Sequence, residues 1–197
     1  MATSLASAHD EIAPLPEIPL GRAGMWWFLS SEVMVFGAIL GTFCLMRYAN
    51  GGWHEEMSHV NTRLAALNTF FLLTSSYTVV EAYAATLAKD RKKAQRYLFI
   101  TVAFGIGFMV NKTLEYRGEF EHGIYPSSGI FWSFYFLATG LHGLHVLGGI
   151  IANLMVAIGA SRESTWAKIE QRVEYVGLYW HFVDLVWIFL FPLIYLT

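Results

Sequence analysis

Five long apolar runs organise the chain, over roughly 25–46, 65–88, 97–116, 129–159 and 173–196. A bilayer core of about 30 Å takes ~20 helical residues to cross, and each run meets that length. Short polar links separate the runs. The pattern therefore predicts an all-α membrane protein, one up-down bundle of five transmembrane helices. The fourth run has length to spare for tilt or for projection into water. The first 22 residues break the pattern with Pro14, Pro16 and Pro19 among mixed polar residues, which predicts an extended tail. Residues 23–197 then form a single domain. The tail has no basic stretch leading into an apolar one, so no cleavable signal peptide is expected.

Six ionisable residues lie well inside the runs: Glu32, Glu81, His142, His145, His181 and Asp184. Charged groups in hydrocarbon are costly and turn towards protein or water. His181 and Asp184, three apart, share one helix face. Counted at about 1.5 Å per residue, the set lies in the middle and on one side of the bundle. Lys112 and Glu115 sit near the other end of the third run, where their i,i+3 spacing allows a local pair. Three readings of the six stay open: a hydrogen-bonded clamp between helices or subunits, a proton relay, or an anchor for lipid headgroups. A bis-histidine haem could in principle use His142 or His145 opposite His181. Three membrane histidines are too few for a metal-loaded oxidase core. Gly37 with Gly41, and Gly148 with Ala152, are small-residue pairs of the kind that let helices approach closely.

Charge gives the bundle a direction. Arg22, the links between the second and third runs and those between the fourth and fifth hold nine of the 13 Lys and Arg; the opposite side holds Arg47, Arg63, Lys112 and Arg117. The bias places the N-terminus in the cytoplasm and the C-terminus outside. Composition agrees with a membrane setting: 55% hydrophobic residues, 14% charged, 16% aromatic and a mean hydropathy of +0.44, against about 25% charged in soluble domains. A net charge of -2 argues against nucleic acid. The single cysteine, Cys44, excludes a disulfide framework and a thiolate metal site. Phosphate loops, nucleophile elbows and His-Glu-x-x-His are absent from the sequence.

Four stretches give the chain a family likeness: Phe28-Leu-Ser-Ser-Glu32-Val-Met-Val-Phe36; Leu67-Asn68-Thr69 with Leu72-Leu73-Thr74-Ser75-Ser76; Gly140-Leu-His142-Gly-Leu-His145-Val146; and Tyr179-Trp-His181-Phe-Val-Asp184-Leu-Val-Trp187. Lys112-Thr-Leu-Glu115-Tyr116 adds a fifth, weaker match. In this order and spacing the chain resembles cytochrome c oxidase subunit III, from the haem–copper respiratory oxidases, over about residues 22–197. Long members of that family have seven helices, with phospholipid in a cleft between the first two and the rest. The five runs match the shorter bacterial form, in which the first two are missing.

The resemblance implies a non-catalytic subunit in the bacterial inner membrane, with no catalytic, cofactor or metal residues of its own. Haem and copper would sit in partner subunits. It would contact subunit I directly, join subunit II and small subunits in the complex, stabilise subunit I and support proton uptake during oxygen reduction and proton pumping. Glu32 corresponds to the family's intramembrane glutamate. His142, His145, His181, Asp184 and Glu81 would form a buried polar network or a lipid or subunit contact. Subunit III of a quinol oxidase and a relative associated with nitric oxide reductase are the nearest alternatives within the family. A stand-alone membrane cytochrome or transporter is the alternative outside it.

Overall fold

The computed structural model describes residues 20–162 and 166–196. The expected tail falls outside them except for residues 20–22, which already belong to the first helix. Six helices follow in order: α1 (Leu20–Ala49), α2 (His54–His59), α3 (Thr62–Leu87), α4 (Arg91–Glu121), α5 (Ile130–Ala160) and α6 (Ile169–Phe191), with a π-helical turn over Pro192–Leu196. Four spans, Leu20–Ala49, Arg91–Glu121, Ile130–Ala160 and Ile169–Leu196, are long and apolar enough to cross a membrane. The sequence pattern predicts five. The remaining long helix, α3, is 26 residues long but carries Asn68, Ser75, Ser76 and several threonines, which dilute its hydropathy.

The helices α3, α4, α5 and α6 form a closed ring. Here α3 packs on α4 and α6, and α5 packs on the same two; α1 leans against α5 and α6 from outside. Trp180 of α6 fills the centre. A Cβ on Gly149 would stand 2.5 Å from its ring, and one on Gly105 would stand 2.9 Å from it. Glycines on two helices thus make room for one indole. Its Nε1 donates to Ser75 Oγ at 2.9 Å, and Trp187 Nε1 donates to Thr69 Oγ1 at 3.0 Å. The small pair Gly37 and Gly41 behaves differently. Cβ atoms there would meet nothing within 4 Å, so these glycines lie on the open face of α1.

Three helices end in the same way. The N–H two residues past the cap returns to a carbonyl five residues earlier, in Gly52→Arg47, Asp90→Ala85 and Ile124→Glu119, which is the Schellman arrangement. It needs a left-handed residue. Gly51 and Gly123 supply it at φ of 71° and 75°, but Lys89 does so with a side chain at φ 58°. Asp90 then caps α4 through Lys93 N at 3.0 Å. The charged run 91–96, expected as a link, is consequently the first turns of α4. Lys89→Gly removes the steric cost of the left-handed position. It is expected to stabilise the protein by about 1 kcal/mol, measured as a raised thermal unfolding midpoint in detergent.

Candidate functional site

Pro192 has no N–H for the carbonyl of Ile188, and the chain passes it in a wider turn. That turn carries Tyr195 inward, 5% exposed, to the Lys112 end of the bundle. Lys112 and Glu115 pair at 3.1 Å with side chains 5% and 1% exposed. They are not a pair at a solvated helix end. Lys112 Nζ also donates to Tyr195 OH at 2.6 Å and Tyr135 OH at 3.2 Å. Both phenols donate on to Glu115 Oε1, each at 2.7 Å. The ammonium thus has two phenolic acceptors, and Glu115 Oε1 receives from both phenols, while Oε2 faces the ammonium as an ion pair without a hydrogen bond of good geometry. Beside this loop, the hydroxyls of Tyr116 and Thr139 are bonded at 2.6 Å.

The six ionisable residues do not form one network. Glu32 Oε2 meets His145 Nε2 at 3.0 Å, joining α1 to α5 with both side chains mostly covered. His145 Nδ1 faces the Leu141 carbonyl at 2.9 Å, and Tyr179 OH donates to the His145 carbonyl at 3.0 Å. A carbonyl can only accept, so Nδ1 carries a proton. The contact with Glu32 uses the ring's other nitrogen, Nε2. Phe36 closes this seam with its ring 5.1 Å from that of His145.

His181 belongs to a second seam, where its Nδ1 bonds Ser76 Oγ at 2.8 Å. Asp184 lies one turn on, 4% exposed, beside Ser76; neither of its oxygens has a bond of good geometry among the described residues. His142 is fully buried between Phe108 and Trp187, with ring centres at 5.5 and 5.2 Å, and its nitrogens likewise have no described partner. Glu81 stands apart from all of these. It faces Lys93 of α4 at 3.8 Å on the half-exposed side of α3. Among the described residues, no three His, Cys, Asp or Glu side chains gather in a form that could hold a metal ion.

The stretches that resemble the oxidase subunit meet in pairs. The first, through Glu32, touches the third, through His145. The second, through Ser75 and Ser76, touches the fourth, through Trp180 and His181. The family profile described as cytochrome c oxidase subunit III matches residues 18–197. This chain belongs to the cytochrome c oxidase subunit III family. The cytochrome c oxidase subunit 3 of Corynebacterium diphtheriae is 32% identical, over 96% of this chain and 94% of that one. A probable cytochrome c oxidase subunit 3 of Mycobacterium tuberculosis is 37% identical, over 99% and 97%. A probable quinol oxidase subunit 3 of Staphylococcus aureus is 30% identical, over 90% and 89%.

The sequence reading missed Tyr135, Tyr195, Ser76 and the pairing of Arg22 with Glu174, which ties α1 to α6. A signal for Tyr135 was present. Glu115 lies six residues before the end of α4 and Tyr135 five after the start of α5, and residues at such similar distances from a turn come close to each other across a helical hairpin.

Proposed function

We propose that the chain is the non-catalytic subunit III of a bacterial haem–copper terminal oxidase, anchored in the inner membrane by five helices. It stabilises catalytic subunit I and supports proton uptake, while haem and copper reside in partner subunits. The supporting observation is the pairing of the family stretches. Their polar groups are used between helices, Glu32 with His145 and Ser75 and Ser76 with Trp180 and His181. Such contacts set the shape of the bundle and so the surface a partner meets. The fifth span is α3, seated between α4 and α6 in the ring. The charge bias places the N-terminus inside. Cytochrome c is the proposed donor to the complex, since the relatives named for it reach 37% identity and those named for quinol 30%.

Purification in mild detergent tests this role. Co-elution with subunits that carry haem and copper is expected. Stoichiometric haem in a pyridine haemochrome assay of the isolated, folded chain would eliminate it. Glu32→Ala cuts the α1–α5 seam without touching a reacting group. Initial oxygen consumption should stay near the parent rate, while activity fades over repeated turnovers and less of the chain stays with the complex. Complete loss of oxygen reduction in a fully assembled variant would contradict the assignment.

A further inference from the structure

A small hollow of about 190 Å³ opens between α2, the start of α3 and the end of α4. Ordinary ligand pockets measure about 300–1,000 Å³, so this one has room for a single side-chain head rather than a cofactor. Glu119 lines it, 7% exposed, and its carboxylate makes no hydrogen bond or ion pair among the described residues. Behind it lies Glu115, whose Oε2 faces Lys112 without a hydrogen bond of good geometry. One ammonium thus stands against two carboxylates, and with neutral histidines the hollow is net negative.

Two exposed histidines, His59 and His122, form the rim. His122 stands three residues after Glu119, on the same face of the last turn of α4. Its Nδ1 lies 2.7 Å from the Gly118 carbonyl and so carries the proton, which leaves a lone pair at Nε2 of the neutral ring. The hollow therefore offers acceptors in want of donors. They do not gather in a form that could hold a bare metal ion, so the fitting guest brings N–H groups of its own. A guanidinium has five in one plane and sheds water more readily than an ammonium. Leu114 and Ile124 supply apolar wall for the stem of such a side chain.

The geometry points to an arginine socket: a neighbouring subunit inserts one arginine here, its guanidinium bonded to Glu119 and His122 Nε2 and its stem against Leu114 and Ile124. The inference rests on the reading of the chain as a subunit, because a partner chain supplies the arginine.

The test has two arms. In the first, the full chain in detergent, with nitrogen-15 in its histidines, is titrated with N-acetylargininamide. The His122 ring signal, assigned by its loss in His122→Asn, should shift to saturation, and N-acetyllysinamide should need about tenfold more to match it. Glu119→Gln should weaken the argininamide about tenfold at an unchanged thermal midpoint, whereas Glu121→Gln, which removes an exposed charge outside the hollow, should not. In the second arm the purified complex carries a benzophenone side chain in place of His59. Illumination should join it to a peptide of another subunit beside an arginine, and Glu119→Gln should lower the yield. The socket is overturned if the two amides bind equally, if Glu119→Gln acts no more than Glu121→Gln, or if the benzophenone reaches no arginine-bearing peptide of another chain. A chain that binds argininamide but fails to co-elute with haem-bearing subunits overturns the subunit reading and the partner with it. A chain that co-elutes but does not bind argininamide overturns the socket alone.

Discussion

Replacing Glu115 by leucine is expected to destabilise the chain more than replacing Lys112 by methionine, and replacing both should cost less than the worse single change. Breaking a buried ion pair from one side costs about 3–5 kcal/mol, because it leaves a charge in a dry place. Which side is broken matters here. Without Lys112, Glu115 still receives two phenolic hydrogen bonds at 2.7 Å from Tyr135 and Tyr195. Without Glu115, the Lys112 ammonium loses its counter-charge and both phenols lose their acceptor. The double variant removes both charges, and its phenols lie within reach of each other, so most of the penalty should return. Thermal unfolding midpoints in one detergent give the order directly. Equal losses in both single variants, or a double variant as poor as Glu115→Leu, would show that the pair is not the centre of this cluster.

Subunit content offers a second reading of the same experiment. The cluster joins α4, α5 and the turn after α6 through Lys112, Tyr135 and Tyr195. Loosening it frees one end of the ring while leaving the Glu32–His145 seam intact. Variants at Lys112 and Glu115 should therefore lower the yield of the folded chain, whereas Glu32→Ala acts on its retention in the complex. The two effects separate stability from association.

The sequence made the long helices legible because the membrane demands long apolar runs, and the structure places α1, α3, α4, α5 and α6 over the five runs. The ends were less legible. Charge at 89–96 suggested a link, but Lys89 and Asp90 close one helix and open the next, so Arg91–Arg96 are helical. Depth was readable and direction was not. Glu81 and Glu32 were counted into one layer, yet Glu81 turns to Lys93 and Glu32 to His145. Counting residues fixes height along a helix, while neighbours are fixed by rotation about its axis. The glycines show the same limit. Gly37 with Gly41 has the spacing of a contact pair but faces open space, whereas Gly105 and Gly149, on different helices, are close to Trp180. Tyr195 lay beyond any spacing rule, because the wide turn after Pro192 aims it inward.

Trp180→Ala should produce a loss as large as that at Glu115, for a different reason. The indole is fully buried at the centre of the ring, and removing it leaves a cavity bounded by Gly105 and Gly149, which have no side chains to fill it. Truncating a buried tryptophan costs about 3–5 kcal/mol where the surroundings cannot collapse. The hydrogen bond to Ser75 is the smaller part, since interhelical hydrogen bonds in membranes average about 0.6 kcal/mol. Ser75→Ala separates the two and should shift the unfolding midpoint only slightly. Gly149→Ala approaches the same contact from the other side. Its Cβ would fall 2.5 Å from the indole, and overpacking of this kind costs about 1–3 kcal/mol. Combined with Trp180→Phe, the added methyl should find room, so the pair should lose less than the sum of the single changes. Strict additivity would mean that α5 and α6 can slide apart to admit a methyl, and that Trp180 does not set their spacing.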